Sequence, residues 1–164
     1  MDEGNDSLRY SSPNDLLSTF NRMDAFRANT QLCDVTLVAG ERKIRAHRVI
    51  MAGFSDYFDA MFNGDLAETI QDVIHIRNVD ADALAAIVDY AYTGKLEIYV
   101  ENVENLLTVA CLLQIENVKQ KCCEFMKQHL HSTNCLGIRA FAEGHGCEGL
   151  FVAADNFTKE NFLQ

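Results

Sequence analysis

Chemistry in this 164-residue chain would have to come from five histidines, six cysteines and an excess of carboxylates. Four groupings are close enough to test. His145 and Cys147 stand two apart and could form an imidazole–thiol pair, but no neighbouring acid orients the ring, so packing is the default. Asp34 and His47 flank one segment and could pair, with a structural ion pair as the default over a catalytic dyad. His129 and His131 project in different directions from a helix end, which suits helix C-terminal or surface histidines better than metal ligands. Adjacent Cys122 and Cys123 point about 100° apart on a helix, and there is no C-x-x-C in the chain. No G-x-S-x-G, Walker loop or H-E-x-x-H occurs. The expectation is a binding module with no catalytic residue, metal or cofactor.

Elements must position whatever binds. Residues 1–13 form a polar tail, and Pro13 and Asn14 open a first helix with Leu16, Leu17, Phe20, Met23 and Phe26 at helical spacing. So apolar a stripe on a terminal helix suits either the domain's own core or a second copy of the chain. "CDVTLVAGERKIRAH" predicts a hairpin turning at Gly40, with Val35 and Leu37 alternating against Asp34 and Thr36. Two short helices follow, broken near Gly53 with Ser55 as the second N-cap, and then a strand with Ile74 and Ile76 on one face. About five helices complete the chain. Asp80 and Asp82 open the first of them and Gly94 closes it. Ser132 to Asn134 cap a later one whose apolar residues are Leu136, Ala140 and Phe141. The fold class is α/β (α+β): a small, mostly three-stranded sheet capped by helices and followed by a helical pair. Between the second short helix and the third strand, "FNGDLAETIQ" leaves Leu66 and Glu68 without a core or cap to serve.

The net charge of −10 argues against a nucleic-acid partner. The first dozen residues are polar and no apolar run is long enough to span a membrane. The expectation is an intracellular protein with reduced thiols, Cys111 and Cys122 acting as small core residues.

"LCDVTLVAGERKIRAHRVIMAGFSDYFDAMF" resembles the opening of a BTB (POZ) domain, and "VDYAYTGKLEI" and "NLLTVACLLQI" resemble its later helices. "HSTNCLGIRAFAEGHGC" is similar to the junction where, in the Kelch-like family, a helical pair called the 3-box begins the BACK domain. The resemblance divides the chain into a tail (1–13), a BTB domain (14–130) and the 3-box pair (131–164), and implies a piece of a longer protein without its Kelch repeats. It further implies a homodimeric, non-enzymatic adaptor that recruits a cullin-3 ubiquitin ligase, its substrate held by an absent Kelch propeller, in the cytoplasm or also the nucleus. That family carries a hydrophobic–any–glutamate motif where this sequence has Leu66, Ala67 and Glu68. By analogy Leu66, Glu68 and Phe62 face the cullin, and Leu16, Leu17, Phe20 and Met23 pack across the dimer axis. The alternatives are the BTB domain of a transcriptional repressor that binds corepressor peptides and a purely structural homodimerisation domain.

Overall fold

A computed structural model describes residues 7–64 and 71–162. The elements run α1 (Pro13–Ala28), β1 (Val35–Ala39), β2 (Arg42–Ala46), α2 (Arg48–Phe54), α3 (Asp56–Asn63), β3 (Val73–His75), α4 (Ala81–Thr93), α5 (Val103–Leu112), α6 (Glu116–Gln128), α7 (Cys135–Gly144) and α8 (Glu148–Phe162). The sheet is three-stranded in the order β2-β1-β3, β1 pairing antiparallel with β2 and parallel with β3.

Gly40 takes the left-handed conformation (φ 57°) that lets a tight turn join β1 to β2. Alternation predicts only one buried face for β1, yet all five of its residues are buried. As the central strand it is covered on both faces, so its polar Thr36 needs a partner and accepts from Arg45 Nη1 at 2.9 Å. Ile74 and Ile76 face the core as the alternation predicts. The break between α2 and α3 falls at Ser55 instead of Gly53; the Ser55 hydroxyl accepts from Phe58 N (3.3 Å) and donates to the Leu113 carbonyl (2.6 Å), tying α3 to the end of α5.

Among the helices, α4 buries the most residues: Ala83, Leu84, Ala85, Ile87, Val88 and Tyr92. Its ends follow the sequence: Asp80 Oδ1 accepts from Ala83 N at 2.8 Å, and Gly94 at φ 66° returns its N–H to the Tyr90 carbonyl. The Tyr92 hydroxyl fastens α4 to the hairpin. It accepts from His47 N (2.9 Å) and meets His47 Nδ1 at 2.8 Å, while Nε2 faces the Gln31 carbonyl at 2.9 Å. The consistent assignment has Tyr92 donating to Nδ1 and Nε2–H donating to Gln31. Burial pushes the Tyr92 phenol up to about 12, against the His47 N–H and the Arg27 charge, which pull it down.

Asn134 does not cap α7 with its side chain; it accepts from His131 N (2.9 Å) and donates to the His129 carbonyl (2.8 Å), closing the preceding loop. The inward face of α7 also differs from the expected one. Cys135, Ile138 and Ala142 are buried while Leu136 is exposed.

Candidate protein-interaction site

Helix α1 buries none of its residues. Leu16, Leu17 and Phe20 are 68%, 54% and 37% exposed, whereas Met23 turns inward and packs against the core. Besides Met23, Arg27 ties α1 to α4 through Asp89, while Asp24 belongs to α1 itself and orients the guanidinium. Arg27 Nη2 reaches Asp24 (2.8 Å) and Asp89 on α4 (2.6 Å), and its guanidinium lies 4.7 Å from the Tyr92 ring centroid. Partial burial works against the Arg27 charge, but the two carboxylates outweigh it and raise its pKa. The apolar stripe of Leu16, Leu17 and Phe20 is thus left exposed. Sequence periodicity missed its other half: Phe20 shares a cavity of about 250 Å³ with Val49, Ile50, Gly53, Phe54 and Ala91, and Val49 is 76% exposed. The signal for α2 was present in the spacing of Val49, Ile50 and Gly53 along one helical turn.

Leu66 and Glu68 lie outside the described residues. Their approach is well defined. Phe62, 9% exposed, stacks on Phe58 with centroids 5.6 Å apart and planes 10° from parallel. Arg48 covers it, with the guanidinium 4.9 Å from its ring centroid. The same Arg48 donates from Nη2 to the Gln71 carbonyl and from Nε to the Asp34 carbonyl (3.2 Å). One guanidinium thus contacts a residue on each side of the 65–70 interval.

The pairings weighed from sequence resolve into structural contacts. Asp34 Oδ1 accepts from Arg48 N at 2.7 Å, and His47 is engaged by Tyr92 and Gln31, so no Asp34–His47 pair is made. His145 stacks on Phe141 (4.0 Å between centroids) and is held between the Phe141 carbonyl and Thr108 Oγ1. The Cys147 thiol donates to the His145 carbonyl, not to its imidazole. His129 repeats the stacking one helix earlier, with its ring on Phe125 at 4.1 Å and Nδ1 donating to the Phe125 carbonyl. Among the described residues no group of three or more His, Cys, Asp or Glu is arranged to hold a metal, and no helix is long and apolar enough to cross a membrane. What the described surface offers is apolar area for a protein partner.

The BTB/POZ domain family profile matches residues 23–130. This chain belongs to the BTB/POZ family. As a BTB/POZ protein it is 47% identical over 146 residues to Kelch-like protein 5 of Homo sapiens, an alignment covering 89% of this chain and 19% of that protein. It is 42% identical to Kelch-like protein 1 of Mus musculus over all 164 residues, or 22% of that protein. The chain therefore spans about a fifth of the length of these relatives. Among solved structures, the BTB domain of zebrafish PATZ1 superposes with a TM-score of 0.67 at 26% identity, covering 74% of this chain and 99% of that one. The small sheet capped by helices is the BTB/POZ fold.

Proposed function

We propose that this chain is the dimeric docking module of a Kelch-like substrate adaptor for a cullin-3 ubiquitin ligase. The observation that carries the proposal is the extent of the likeness: identity to Kelch-like protein 1 continues past residue 130, where the BTB/POZ match ends, to the end of the chain. That continuation supports reading α7 and α8 as the 3-box pair that begins a BACK domain. Leu66 is then an apolar side chain for a groove on the cullin, contributing roughly 1.5–3 kcal/mol when buried there. Glu68 supplies the polar contact beside it. Phe62, buried beneath Arg48, serves chiefly as the floor from which the segment departs. The exposed Leu16, Leu17 and Phe20, continued by Val49, support a two-fold pairing of chains, which gives two cullin sites and two substrate arms and a gain in avidity. Substrate choice falls to a Kelch propeller beyond this chain, and the setting is the cytoplasm or also the nucleus.

Calorimetric titration with the N-terminal domain of cullin-3 tests the proposal. Sub-micromolar binding, strongly weakened in folded Leu66→Asp and Glu68→Ala variants, is expected. A folded dimer that fails to bind would hand the chain to the repressor or structural alternative.

A further inference from the structure

Three thiols from separate elements meet where α6 approaches the start of α8. Cys123 is half-buried on α6, and Cys147 immediately precedes α8. Both line one open cavity of about 300 Å³, together with Lys119, Lys127 and Leu150. Cys147 is near enough to the Cys123 thiol, and to that of Cys111 on α5, to help raise the pKa of each. The two elements are in close contact: a Cβ placed on Gly149 would lie 3.2 Å from Lys127 Nζ, so a side chain there would crowd α6. All six cysteines are free thiols.

We propose that Cys123 and Cys147 form a redox modification site, closed into an intramolecular disulfide by a low-molecular-weight disulfide such as oxidised glutathione. One protein thiol, as its thiolate, attacks a sulfur of the small disulfide, breaking that S–S bond and expelling one small thiolate. The second protein thiolate attacks the protein sulfur of the resulting mixed disulfide and expels the other. Two protein thiols are oxidised, one small disulfide is reduced to two thiols, and the two protons from the protein end on them. Cys147, itself buried, neighbours both half-buried thiols, but Cys123 shares its cavity and Cys111 does not, so the partner across that cavity is Cys123. The product pins the first turn of α8 to α6 and so fixes the terminal helical pair on the BTB domain.

Burial, with Cys147 alongside, pushes the Cys123 thiol up to about 12, which keeps it protonated near neutrality. Closure is accordingly slow at pH 7 and speeds up with rising pH. Once formed, the bond resists reduction because a high-pKa thiolate leaves poorly. The site therefore registers a sustained oxidising shift and ignores a brief one. The inference does not depend on cullin binding.

The test is peptide mapping without reduction, after the reduced full chain is equilibrated with a glutathione redox buffer at pH 8 and the free thiols are alkylated. A Cys123–Cys147 cross-linked peptide should be the dominant intramolecular product of the native chain and fall to a minor one in urea. The oxidised chain should melt roughly 5 °C or more above the reduced one. Cys123→Ser, or Cys123→Ala should serine disturb α6, should abolish both the peptide and the shift. Mixed disulfides without closure, or a Cys111–Cys147 link as the main product, would overturn the assignment.

Discussion

Helices α1 and α4 lie side by side and make opposite use of apolar residues. Along α4 six residues are buried, and the helix ends are closed by Asp80 and Gly94. Along α1 none is buried, and attachment rests on half-buried Met23 and on Arg27 with Asp89 and the Tyr92 ring. Both helices have apolar residues at helical spacing, so a hydrophobic stripe marks a face that must be covered without saying by what. For α4 the cover is β2 and the neighbouring helices α1, α2 and α5. For α1, on the proposal above, it is a second chain.

This contrast yields predictions that can be ranked. Leu84→Ala, at a fully buried position of α4, should destabilise the fold by about 2–5 kcal/mol in urea unfolding. A loss under 1 kcal/mol would deny α4 its central role. Alkaline pH comes next. Burial raises Cys122 to about 12 and Tyr92 to about 12, both above their unfolded values. Stability from these groups is complete below the unfolded values, near pH 9 for the thiol, and is lost as pH rises toward 12. The unfolding free energy from denaturant titrations should hold level up to about pH 9 and then fall, by on the order of 4 kcal/mol at pH 11. Tyr92→Phe keeps the ring and removes the hydroxyl, stranding His47 N and Nδ1, at a cost of about 1–3 kcal/mol. A neutral result would mean that water replaces the hydroxyl. The smallest effect on the fold belongs to α1: Leu17→Asp should change monomer stability by about 0.5 kcal/mol or less, since Leu17 is exposed. The same substitution should convert the chain to a monomer in sedimentation equilibrium. An unaltered dimer would remove α1 from the two-fold contact.

What could be foreseen from sequence was local. The turn at Gly40, the Ser55 and Asp80 caps, the stop at Gly94 and the inward Ile74 and Ile76 each depend on residues a few positions apart. What could not be foreseen depends on partners far along the chain. Thr36 and Val38 are buried because β3 arrives in parallel on the far side of β1, which alternation within β1 cannot reveal. The inward face of α7 is set by α8, so Leu136 remains outside while small Cys135 goes in. Arg48 reads as an ordinary surface cation until Phe62 and Gln71 meet it, and Cys111, Cys123 and Cys147 become neighbours only when α5, α6 and α8 converge. Of the candidate site, the motif at Leu66 and Glu68 came from family resemblance, and Val49 from the structure alone.

The central position of β1 also sets a timetable for synthesis. During translation β1 and β2 can pair soon after leaving the ribosome, because only the Gly40 turn separates them. The other edge of β1 must wait for Val73 to His75, and the phenol that secures His47 arrives later still, at residue 92. Throughout that interval the nascent chain carries a mostly apolar strand with an open hydrogen-bonding edge, the kind of surface on which neighbouring nascent chains associate wrongly. Slowed elongation after β1 has emerged from the ribosome and before β3 has should therefore lower soluble yield more than the same delay after residue 92 has emerged.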